Sequence, residues 1–147
     1  MQKFLDNARG VGLIAGVLLV LASALPWVTV SMPFLGSITV YGLKTGGDGW
    51  VALGFGVAVI AGTFLRKPKR LALGIVGVIA TVGYVGEFVY SRIALASAQG
   101  DLGMFAGTVS INPAIGLVLG TLVGLALAFW GLVLPRLGSG RVEPVAA

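Results

Sequence analysis

The sequence predicts an all-α membrane protein: a four-transmembrane-helix bundle with a small extracytoplasmic antiparallel β-sheet of about three strands. Three observations predict it. The chain of 147 residues is 57% hydrophobic and only 10% charged, with a mean hydropathy of +1.03. A soluble domain carries about a quarter charged residues, so this chain lacks the polar surface to cover a globule in water. Four apolar segments, each close to the length of a membrane-crossing helix, divide the chain. Strand-like alternation is confined to the two connections on one side of those segments.

The first apolar segment spans roughly residues 10–28 and opens GVGLIAGVLLVLASALP. Lys3 and Arg9 precede it, and ASA at residues 22–24 has the small-residue look of a signal cleavage site. The apolar stretch is longer than a signal core and three more spans follow, which favours a retained helix. The first outer loop, residues 29–48, reads in period two. Val28, Val30 and Met32 alternate with Thr29 and Ser31; after Pro33-Phe34-Leu35-Gly36, Ile38 and Val40 alternate with Thr39 and Tyr41. That pattern predicts a hairpin. The GGDG at residues 46–49 is a turn back to the membrane at Trp50.

The second span covers roughly residues 49–65 and the third roughly 71–90. Between them LRKPKR concentrates positive charge, and Pro68 prevents one continuous helix. The second outer loop, residues 91–112, contains GTVSINP, which predicts a third strand, since a hairpin alone is marginal in water. Met104 and Phe105 there are placed either in the outer membrane interface or beneath the sheet. The fourth span covers roughly residues 113–134, and 135–147 form a tail. TVSMP and TVSINP, one in each outer loop, raise an internal duplication as one explanation and chance as the other.

Charge sets the orientation. Lys3, Arg9, Arg66, Lys67, Lys69, Arg70, Arg136 and Arg141 fall on one side of the four spans; Lys44 and Arg92 fall on the other. Under the positive-inside rule both termini and the 66–70 turn are cytoplasmic. The expected location is a plasma (inner) membrane, crossed several times, in a bacterium. The net charge of +5 then implies contact with anionic lipid on the cytoplasmic side rather than with nucleic acid. With no cysteine and no histidine, disulfides, thiol nucleophiles, Cys/His zinc sites and histidine acid–base chemistry are excluded. No cofactor is expected.

Several residues stand out as candidates for function. Gly116, Gly120, Gly124 and Ala128 recur every fourth place in span four, as do Gly12 and Gly16 in span one and Gly54, Ala58 and Gly62 in span two. Such faces let helices approach closely, either within the bundle or against a partner helix. Glu87 is the one acidic residue inside a predicted span, and Gly77, Ala80, Tyr84, Glu87 and Ser91 share a face. An ionisable residue at that depth turns inward, as a structural hydrogen-bonding group, a proton or cation site, or a partner contact. Lys44 and Arg92 are its candidate ion partners. Trp27, Trp50 and Tyr90 near the outer boundary and Trp130 near the inner one read as interfacial anchors.

Four helices with both ends inside, a strand-rich first outer loop and one strand in the second resemble the layout of claudins and their relatives. Trp27 stands where that family has a tryptophan at the mouth of the first helix, and Gly42-Leu43 is similar to the start of its Gly-Leu-Trp motif. Lys44 replaces the motif's tryptophan and the paired cysteines are absent. The resemblance implies the fold and carries over neither barrier nor pore activity.

The expected role is non-catalytic: an accessory, scaffold or assembly subunit of a larger membrane complex, with other membrane subunits as partners. The alternatives are a small oligomeric proton or cation transporter or channel using Glu87, and a lipid-modifying enzyme using Asp48, Asp101 and Lys44.

Overall fold

The computed structural model describes residues 8–32, 36–44, 47–65, 69–98 and 108–134. Four helices and one small sheet account for nearly all of them. Helix α1 runs Ala8–Ala24, strand β1 Pro26–Met32 and strand β2 Gly36–Tyr41. A single 3-10 turn, Gly42–Lys44, leads towards α2, Asp48–Leu65. Helix α3 spans Arg70–Ala98, β3 Ser110–Pro113 and α4 Ile115–Ala128, extended by a π-helical turn, Phe129–Val133.

Two of these helices, over Arg70–Ala94 and Ile115–Val133, are long and apolar enough to cross a membrane; α1 and α2 are shorter apolar helices. The shortfall in α1 corrects the expected 10–28 span. Pro26 has no N–H to donate and biases the residue before it away from helical geometry. The chain therefore leaves the helix at Ala24 and is already a strand at Pro26. Helix α3 errs in the other direction, continuing eight residues past the expected end at Tyr90. The added SRIALASA is rich in good helix formers, but its polar residues fall outside an apolar window.

The sheet is antiparallel with order β2-β1-β3. The β1–β2 register pairs Val28 with Val40, Val30 with Ile38 and Met32 with Gly36, with an irregularity between Pro26 and Val28. Gly36, at φ +85°, opens β2 in the left-handed conformation that a side chain disfavours. Strand β3 pairs on the opposite edge of β1, Val30 against Ile111 and Ser31 against Ser110. Val28 and Ile111 are buried, so one face of the sheet rests on the helices. The two echoing segments of the sequence thus supply neighbouring strands.

Helix α1 packs along α2, α3 packs along α4, and α1 meets α4 through the centre; α2 and α3 touch little. Glycines make these approaches possible. A Cβ on Gly77 would lie 2.5 Å from the Ala128 nitrogen and 2.6 Å from the Gly124 oxygen, so α3 and α4 meet backbone to backbone. Gly16 meets Gly56 O and Ile60 of α2 in the same way. Gly12 abuts Thr63 and Leu73, Gly116 abuts the Ala22 and Pro26 carbonyls and the Trp27 ring, Gly120 abuts the Tyr84 ring, and Gly124 abuts Thr81. The expected docking faces of α1 and α4 are therefore occupied inside the chain. Their physical role is internal: where there is no side chain, dispersion contacts between backbones hold the pairs.

Candidate functional site: a lateral cleft closed by two carboxyls

Trp27 organises the sheet end of the bundle. Its side chain is 2% exposed, and its Nε1–H donates to the Ala22 carbonyl oxygen at 2.9 Å. Tyr84 meets it edge to face, with ring centroids 5.4 Å apart and an interplanar angle of 65°. That arrangement brings the positive ring edge to the negative face. Gly42, immediately after β2, lies flat against Trp27 and the Ser23 carbonyl. The Trp27 anchor expectation is thus corrected. A ring at the helix-to-strand corner is covered from both sides, by Gly42 and Gly116, and sits in the core. Trp130 is likewise buried, at 6% exposure, with the Arg70 guanidinium 5.2 Å from its ring centroid in a cation–π contact. Trp50 and Tyr90 are exposed.

Because α2 and α3 lean on different partners, a cleft of about 190 Å³ opens between them. Leu19, Trp27, Ala80 and Tyr84 line its inner surface; Val51, Ala52 and Phe55 of α2 face Ile79 and Gly83 of α3 across it. Asp48 and Glu87 complete the lining. Asp48 is the first residue of α2, where a carboxylate complements the positive end of the helix dipole. The Glu87 and Asp48 side chains are neighbours in this lining.

The face Gly77, Ala80, Tyr84, Glu87 and Ser91 does turn inward: the first three are buried and the last two half-buried. Tyr84 Oη points to the Leu19 carbonyl at 3.5 Å, a long hydrogen bond. Neither expected cation engages Glu87. Lys44 Nζ lies 5.7 Å from the Tyr41 ring centroid. Arg92 donates from Nη1 to the Ile111 carbonyl at 3.0 Å, and its guanidinium lies 5.9 Å from the Phe88 ring centroid. Arg92 thus ties the extended part of α3 to β3, which the sequence spacing alone could not show. The partner the structure supplies to Glu87 is Asp48, thirty-nine positions away in sequence.

Asp101, Met104 and Phe105 lie outside the described residues, as do most of the cationic residues expected on the cytoplasmic side. Of these, Arg9, Lys69 and Arg70 are described, all at the end of the bundle opposite the sheet. The buried Ser and Thr hydroxyls are satisfied within their own helices: Thr63 Oγ1 donates to Ile60 O at 2.6 Å and Ser23 Oγ to Val20 O at 2.7 Å. Among the described residues no buried side-chain nitrogen or oxygen lacks a partner. No group of three or more His, Cys, Asp or Glu side chains gathers among them. No protein-family model matches the chain, and no curated protein and no solved structure matches it.

Proposed function

We propose that this chain is a four-spanning inner-membrane protein that acts as a non-catalytic accessory or assembly subunit of a larger membrane complex. Support for four spans comes from where large apolar side chains lie. Ile14, Val17 and Leu21 of α1 and Val51, Val57 and Phe64 of α2 are exposed, as are Ile75, Val82 and Val89 of α3 and Leu122, Leu125 and Phe129 of α4. All four helices thus present an oily outer face of a size that soluble monomers avoid. At 1.5 Å per residue α1 covers about 25 Å, and the strand that follows carries the chain out of a hydrocarbon layer of about 30 Å. The charge distribution supports a cytoplasmic side for both termini and the 66–70 turn, small size and simple composition suit a bacterial protein, and the layout is claudin-like in topology alone.

The observation that carries the docking role is the outer strand β2. Among the described residues it pairs only with β1, and Gly36–Thr39 and Tyr41 are exposed, Ile38 at 56%. An edge of this kind offers backbone hydrogen bonds and alternate side chains to an added strand. Purification in mild detergent followed by mass spectrometry tests the proposal. A reproducible companion subunit lost on Ile38→Glu supports it; a solitary monomer before and after the substitution refutes it.

A second reading, a small proton or cation carrier, is favoured by the Asp48–Glu87 contact. It predicts cation or proton flux from purified protein in liposomes, abolished by Glu87→Gln. Liposomes without flux refute it.

A further inference from the structure

We propose that the cleft between α2 and α3 is a binding site for a single-chain amphiphile with a positively charged head, its chain lying between the helices and its head on Asp48 and Glu87. Three observations meet here. The first is the shape and chemistry of the space. Its walls are Val51, Ala52, Phe55, Ile79 and Gly83, which offer a flexible chain nothing but apolar surface. The second is size. The cleft holds about 190 Å³. That is room for one alkyl chain. An enclosed apolar cavity of ~150 Å³ already takes up a benzene molecule.

The third observation is charge. Asp48 and Glu87 both line the cleft, and no basic residue does, so its polar border is the complement of an ammonium group. The basic side chains at this end are engaged elsewhere, Lys44 with Tyr41 and Arg92 with Ile111 and Phe88. A cation arriving with an apolar chain therefore meets an acidic pair that no lysine or arginine among the described residues has claimed. A second copy of this chain is disfavoured as occupant, because it would bring the same carboxyls face to face. Gly83 gives the chain its room: a Cβ there would meet nothing within 4 Å, whereas Gly74, Gly77, Gly124 and Gly131 of the same helix pair are all pressed against backbone.

The site stands whether or not the chain is an accessory subunit, and its test does not need the partner. The purified full chain is placed in nanodiscs of zwitterionic lipid and photolabelled with dodecylamine carrying a diazirine at the chain end. Peptide mapping is expected to place the label on the cleft-lining residues of α2 and α3. Unlabelled dodecylamine should compete roughly tenfold better than dodecanol or dodecanoate, the size expected of one charge-assisted hydrogen bond. The isosteric double substitution Asp48→Asn with Glu87→Gln should reduce the amine to the level of the alcohol. Gly83→Phe, which fills the cleft, should abolish labelling by both probes. The competition series uses the unaltered protein and so stands even if a variant fails to fold. Equal competition by the three head groups would overturn the proposal. Label spread over the lipid-facing helix surfaces would do the same, as would crosslinking of a co-purified polypeptide through a photoreactive residue at position 79.

Discussion

Replacing Gly77 by alanine adds one methyl group at the point where α3 and α4 touch backbone to backbone. The new Cβ would sit 2.5 Å from the Ala128 nitrogen, and ordinary contact begins at 3.4 Å, so the helices must part by about 0.9 Å. No side chain can rotate away, because the obstructing atoms are main chain. Overpacking of this kind costs typically about 1–3 kcal/mol. The internal control is Gly83→Ala on the same helix, where the added Cβ meets nothing within 4 Å. Alanine is about 1 kcal/mol better than glycine inside a helix, so that variant should be as stable as the parent or more so. The two methyl groups are chemically identical and six residues apart; only their surroundings differ. Reversible unfolding by sodium dodecyl sulfate in mixed micelles, followed by tryptophan fluorescence, measures both. A Gly77→Ala variant as stable as Gly83→Ala would refute the claim that backbone contact holds α3 to α4.

Other expectations use the same assays. Trp27→Ala should destabilise the protein by about 3–5 kcal/mol, as for other buried aromatics, while Trp50→Ala, at a site 59% exposed, should shift the unfolding midpoint little. Removing the guanidinium in Arg92→Gln should speed hydrogen exchange at the amides of residues 110–112, since the Ile111 carbonyl loses the side chain that ties β3 to α3; unchanged exchange would show that the contact is dispensable. The absence of cysteine makes single-cysteine labelling clean. A cysteine at Ile38 should react with an impermeant maleimide from outside intact cells, and one at Lys69 only after permeabilisation. The reverse pattern would refute the assigned orientation.

The legible part of this protein was the part governed by local pattern. Four apolar stretches, Pro68 between the second and third, and period-two alternation around Pro33–Gly36 are nearest-neighbour properties, and the helices and three strands follow them closely. Small residues at every fourth position announced close helix approach for the same reason, since one face of a helix is a function of spacing alone. What spacing could not say is which face meets which. Gly116 and Gly120 looked as open to a partner as Gly54, yet the first two lie against Trp27 and Tyr84 while Gly54 faces open space. Trp27 looked like an interfacial anchor because aromatic residues at a helix end usually are; the strand starting at Pro26 and the flat surface of Gly42 enclosed it instead.

The sequence by itself determined a composition that is 57% hydrophobic and 10% charged, its apolar helices, and one Glu on an inward face. The tertiary structure decided Glu87's neighbour. Asp48 reaches it because α2 packs on α1 and α3 packs on α4, so the first turn of α2 comes level with the middle of α3 across a gap that neither helix closes. That meeting depends on interhelical packing summed over the whole bundle, and no local stretch of residues encodes it.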